Sequence, residues 1–68
     1  MVRIMVQKTN DLGSLLLIDD DRHLLESMAL WLREQGYQVD TAECLDSAIR
    51  QLSQRRFDLV VTDIRLHE

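Results

Sequence analysis

The sequence has no proline and one cysteine, Cys44, in 68 residues. One cysteine forms no intrachain disulfide, so the fold must rest on packing, and a reducing cytoplasm is the default setting. No Cys/His cluster has the spacing of a metal site. No apolar run approaches the roughly 20 residues of a membrane span. The opening MVRIMVQKTN is too short and too polar for a secretory signal. Aromatic residues make up 4%, and Trp31 and the methionines read as packing or surface residues. Positive charge is scarce as well: 8 Lys and Arg face 12 Asp and Glu, a net charge of −4. That balance argues against nucleic acid or an anionic membrane as the direct partner of this segment. There is no internal repeat and no low-complexity run.

What is present fits one small domain. Hydrophobic content of 46% with 29% charged residues is that of a soluble globular chain and not a disordered one. The chain is short for a domain without disulfides or metal. Its most informative stretch is FDLVVTDIRLHE, residues 57–68. Leu59, Val60, Val61 and Thr62 carry no charge and are apolar or β-branched, as in a strand buried on both faces of a parallel sheet. Asp63 follows at once. Open α/β sheets place their ligands at the carboxyl ends of their strands, so Asp63 is the candidate reacting group.

The remainder reads in order. Residues 1–13 form an N-terminal extension: MVRIMV alternates well enough for a short strand, and KTNDLG suits a turn or linker. SLLLI at 14–18 is a short apolar run that ends in Asp19, Asp20 and Asp21. It predicts a buried strand followed by a carboxylate loop. Any of these acids can cap a following helix. Residues 22–35 have helical periodicity, with Leu25, Met28, Ala29 and Leu32 on one face and Leu24 and Trp31 flanking it. Gly36 stops that helix. YQVDTA at 37–42 alternates as a strand with one more polar face. Residues 45–56 predict a second helix with a stripe of Leu45, Ala48, Ile49 and Leu52, with Cys44 at its start.

The order β-α-β-α-β argues for a parallel α/β sheet with right-handed crossovers. If the first of these strands lies centrally, the spatial order is 2-1-3. Asp19, Asp20 and Asp63 then converge at one edge. Clustered carboxylates repel one another unless a cation sits among them. Oxygen-only ligands suit a hard ion, and Mg²⁺ takes one or two carboxylates with waters and phosphate oxygens. A Mg²⁺ site beside a nucleophilic carboxylate is a workable phosphoryl-transfer site, because Asp can form an acyl phosphate.

LLLIDDD, an amphipathic helix, GYQVDTAECLDSAIRQL and FDLVVTDIRL resemble, in order and spacing, the first half of a receiver domain of two-component response regulators. The resemblance spans about residues 15–66. It implies a flavodoxin-like doubly wound parallel sheet, present as its first βαβαβ portion over residues 14–68. By the same resemblance Asp63 is the phospho-acceptor, Asp20 a direct Mg²⁺ ligand and Asp19 a ligand largely through water. The backbone carbonyl of Arg65 completes the protein's share of the metal shell. Asp21 is more a helix cap than a ligand. The implied partners are a histidine kinase as donor and an output domain or downstream partner as reader. The IDDD and DIR wording is similar to regulators that activate transcription through an AAA+ module.

The chain departs from the pattern in two ways. Leu66, His67 and Glu68 stand where the family commonly has Met-Pro and then Gly. The two later β-α units, with a Ser/Thr that senses the phosphoryl group and a Lys that pairs with it, have no counterpart, and Thr62 is not that switch residue. The strand ending at Asp63 is therefore expected to leave an open apolar edge, with sheet faces short of cover. Ordering each residue costs roughly 1–2 kcal/mol, so a fragment of a longer protein or a self-associating chain is expected. Two rival readings stand. Asp19 with Asp21 fits the D-x-D pattern of haloacid-dehalogenase-type phosphatases, with Asp19 as nucleophile, although His23 replaces the expected Thr or Val. The other is a receiver-like interaction module that is never phosphorylated. His23 and His67 read as surface residues.

Overall fold

The computed structural model describes the backbone of residues 3–7 and 13–63 and the side chains of residues 13–62. Six elements follow in order: β1 Arg3–Gln7, β2 Ser14–Ile18, α1 Arg22–Glu34, β3 Gln38–Ala42, α2 Leu45–Gln54 and β4 Leu59–Asp63. They build one four-stranded sheet of spatial order β1-β4-β2-β3. The three parallel strands thus have the 2-1-3 order expected, with β2 in the centre. Leu15 pairs with Val39 on one side of β2 and with Leu59 on the other. This is the flavodoxin-like α/β arrangement of the first βαβαβ portion.

One strand more is present than the sequence reading placed. Arg3–Gln7 lies antiparallel along the outer side of β4, from Arg3 opposite Asp63 to Gln7 opposite Leu59. The edge expected to stand open is therefore filled by the chain itself. The physical reason is a row of unpaired N–H and C=O groups on β4, which accepts any suitable strand within reach. The connection from β1 to β2 is too short for a parallel crossover, which needs a dozen or more residues, and an antiparallel return follows.

The central strand is apolar on both faces because a helix covers each. Leu15 and Leu17 pack with Leu25 and Ala29 of α1 and with Val39. Leu16 and Ile18 point the other way, onto Ala42 and Ala48. Met28 and Leu32 join the first cluster half-buried, which bears out the stripe of α1. The stripe of α2 is borne out at one position only. Ala48 is buried, whereas Leu45, Ile49 and Leu52 are exposed, Ile49 at 63%. The helix packs closest against β2 and β3, and Val60 of β4 only flanks its cluster. For the same reason Leu59 to Thr62 are half-buried, not buried on both faces as their composition suggested.

Local signals fix the element ends. Asp21 is the N-cap of α1, its carboxylate accepting the Leu24 N–H at 3.1 Å. Gly36 adopts φ 107° just past the C-cap Gln35. There its N–H donates to the Arg33 carbonyl and that of Tyr37 to Leu32, the paired bonds of a left-handed glycine stop. At the amino edge of the sheet, Asp58 joins β2 to β4. Its N–H donates to the Ser14 carbonyl at 2.8 Å, and its carboxylate accepts the Ser14 N–H at 3.0 Å.

Candidate functional site

The carboxyl edge of the sheet gathers the acids. The last register pair between β2 and β4 is Ile18 with Thr62. Asp19 and Asp63 are the next residues of those two neighbouring strands, so the fold brings them side by side at one edge. The backbone N–H of Asp19 donates to the Ala42 carbonyl at 3.1 Å, which carries the β2–β3 ladder one step past the strand. That bond seats the Asp19 side chain inside the protein, where it is 2% exposed. One of its oxygens, Oδ1, accepts the Asp21 N–H at 3.0 Å and shapes the turn into α1. Asp20, between them, is exposed.

The three acids of the loop therefore have different environments. Asp19 is held inside, Asp20 faces water, and Asp21 is committed to the helix. A carboxylate buried against a sheet end is costly to desolvate unless hydrogen bonds or a cation compensate it. An exposed carboxylate beside it is free to reach a hydrated ion. This oxygen-only donor set suits Mg²⁺. Among the described residues no three or more His, Cys, Asp and Glu side chains are placed so that together they could hold a metal ion. Asp63 enters through its backbone place in β4, and Arg65, whose carbonyl was expected in the metal shell, lies outside the described residues, as does His67.

Two features of this edge escaped sequence reasoning. Glu43, directly after β3, adds a further acid, and Arg22 neutralises it: Nε donates to Oε2 at 2.9 Å. Glu43 holds the Arg22 guanidinium above its ordinary pKa, first through that hydrogen bond and then through its charge. Both groups are largely solvated, so the pair contributes little to stability. The second is Arg3, which the register sets opposite Asp63. No local signal announces either pairing, because each joins residues far apart in the chain. His23 is exposed, as the sequence suggested, and Cys44 starts α2 without a side-chain capping bond.

Residues 15–68 match the family described as the response regulator receiver domain. Over 54 residues the chain is 44% identical to the transcriptional regulatory protein GlrR of Escherichia coli, covering 79% of this chain and 12% of that protein. It is 34% identical over 64 residues to the alginate biosynthesis transcriptional regulatory protein AlgB of Pseudomonas syringae, covering 94% of this chain and 14% of that one. The transcriptional regulatory protein AfsQ1 of Streptomyces coelicolor is 40% identical over 53 residues, 78% of this chain and 24% of that protein. No solved structure gives a significant match. The chain thus spans a small part, 12 to 24%, of the curated relatives it matches. With the parallel sheet and its acidic carboxyl edge, these matches settle the class: the chain belongs to the receiver domain family of two-component response regulators.

Proposed function

We propose that this chain is a phospho-accepting receiver module in which Asp63 takes a phosphoryl group from a histidine kinase or a small phosphodonor. The observation that carries this is the Ile18–Thr62 register, from which Asp19 and Asp63 emerge on adjacent strands beside the exposed Asp20. A carboxylate oxygen of Asp63 attacks the phosphorus. The bond from phosphorus to the leaving group breaks, and the leaving group, imidazole or acetate, departs with the electron pair. Asp20 and Asp19 would hold Mg²⁺, Asp20 directly and Asp19 largely through water, with the Arg65 carbonyl as a further ligand. The ion supplies charge neutralisation to the moving phosphoryl group. Residues 14–68 form the receiver portion, and residues 1–13 precede it as an extension. The relatives' names support an output in transcription control, and the IDDD and DIR wording supports an AAA+ type regulator. The module is a cytoplasmic switch more than a metabolic enzyme. Added charge at Asp63 would bias a surface that an output domain or partner reads.

Intact mass after incubation with acetyl phosphate and Mg²⁺ tests the reading. The expected result is a gain of one phosphoryl group that is absent in Asp63→Asn and after removal of Mg²⁺ with a chelator. A gain that persists in Asp63→Asn would place the acceptor elsewhere. The dehalogenase-type alternative fares poorly at the same edge, because Asp21, its required second acid, is occupied as the N-cap of α1.

A further inference from the structure

At one side of the sheet β1 lies outside β4, and at the other β3 is the last strand among the described residues. Along β3 the Gln38 N–H donates to the Gly13 carbonyl, and the Ala42 carbonyl accepts the Asp19 N–H. Residues 38, 40 and 42 therefore turn their backbone groups inward to β2. By the alternation of a strand, Val39 and Thr41 turn theirs to the outer edge. Both outward carbonyls are taken by side chains. Nη2 of Arg33, in the last turn of α1, donates to the Val39 carbonyl at 2.7 Å. Nε2 of Gln51, in α2, donates to the Thr41 carbonyl at 2.9 Å. The two helices lie on opposite faces of the sheet, so this edge is gripped from both. Between the two bonds Asp40 places a charge in mid-strand, and Arg55 neutralises it at 2.8 Å.

We propose that Arg33 and Gln51 are guards that close the β3 edge to the β3 strand of a second copy of this chain. An outer strand is a template for another strand, and every copy carries the same template. Two such edges can meet about a twofold axis, each supplying the groups the other needs. An incoming strand would run about 4.8 Å away and bond the outward carbonyls of Val39 and Thr41. Donors approach a carbonyl near its own plane, which here is the plane of the sheet. The guanidinium and the amide therefore compete with the added strand for the same acceptors. With Asp40 neutralised by Arg55, the closing falls to these two side chains. Ala42, whose carbonyl seats Asp19, ends the same strand, so strand addition would bear on the acidic edge. The proposal stands on β3 and its two helices and needs no reading of Asp63.

Size against concentration, by light scattering, tests the guards on the full chain, Arg33→Ala, Gln51→Ala and the double variant. Alanine removes each donor and is the best helix former, so both helices are kept. The double variant is expected to rise about twofold in mass over the full unmutated chain as concentration increases. Arg33→Lys keeps a donor and should behave as the unmutated chain does. Amide hydrogen exchange locates the contact. In the double variant the Val39 and Thr41 N–H groups should exchange roughly threefold or more slowly at high concentration, with no such dependence in the unmutated chain. A folded double variant that matches the unmutated chain in size at every concentration overturns the proposal. So does association that leaves exchange at Val39 and Thr41 unchanged. A lower melting temperature without a change in size would make the two bonds stabilising contacts only, and also overturns it. If the double variant loses its native far-ultraviolet spectrum, the single variants decide. Concentration-dependent slowing at Val39 or Thr41 in either supports the guards, and its absence from both overturns them.

Discussion

Single residues set the ends of the elements. Asp21 shows how one side chain separates a capping role from a metal role: its carboxylate accepts the Leu24 N–H, and the adjacent Asp20 is left to face solvent. Asp21→Ala should therefore lower stability by about 1 kcal/mol in urea unfolding, as loss of a capping acid commonly does. It should leave the mass gain at Asp63 in place. Loss of that gain would make Asp21 part of the reacting site. At the opposite edge, a Cβ on Gly13 would overlap the Asp58 carboxylate. Asp58 could move only by giving up its bond to the Ser14 N–H. Gly13→Ala is expected to cost about 1 kcal/mol, near the worth of one such bond. Gly13→Ala and Asp58→Ala should be sub-additive, because both remove the same contact. Full additivity in a double-mutant cycle would mean that the clamp is not shared.

At the scale of elements, the two helices differ in what lies beneath them. α1 buries Leu25 and Ala29 against the first cluster, whereas α2 buries Ala48 alone. Ala48→Leu should then cost about 1–3 kcal/mol by overpacking the seam with Leu16, Ile18 and Ala42. Ile49→Lys, on the same sequence stripe but 63% exposed, should stay within about 0.5 kcal/mol. Comparable losses in thermal unfolding would show that α2 sits deeper than this. The contrast marks how far the sequence could be read. Periodicity tells which face of a helix is apolar, and both stripes were visible in it. It does not tell how much sheet lies under that face, which depends on strands far away in the chain. β2, the Asp21 cap and the Gly36 stop were legible because their signals span a few residues. Convergence of Asp19 with Asp63 was legible only through the assumed crossover rule, and the sheet order supports that assumption. The β1–β4 pairing was not legible, because nothing local in MVRIMV specifies a partner some 56 residues on or its register.

For the molecule as a whole, the edge of β4 decides between a closed sheet and an associating one. Thr62, Val61 and Val60 present a half-buried apolar strand whose outer hydrogen-bonding groups pair with β1. The helices lie closest over β2 and β3, Leu59, Val60 and Val61 only flank the clusters beneath them, and β1 completes the outer ladder of β4 among the described residues. Removal of residues 1–7 exposes that ladder and the apolar residues beside it. An exposed, flat, uncharged edge pairs with another copy of itself. The truncated chain should therefore run larger than the intact chain in light scattering, and its size should rise with concentration. A sheet-rich far-ultraviolet spectrum would show that it associates as folded protein and not after collapse of the fold. Restoring the edge with a blocking charge, as in Val61→Lys on the truncated background, should return it towards a monomer. If the truncated chain stays monomeric and folded at every concentration, the β4 edge does not depend on β1 for its cover. Any association of the intact chain would then have to come from the exposed faces of α1 and α2, where Trp31 and Ile49 lie.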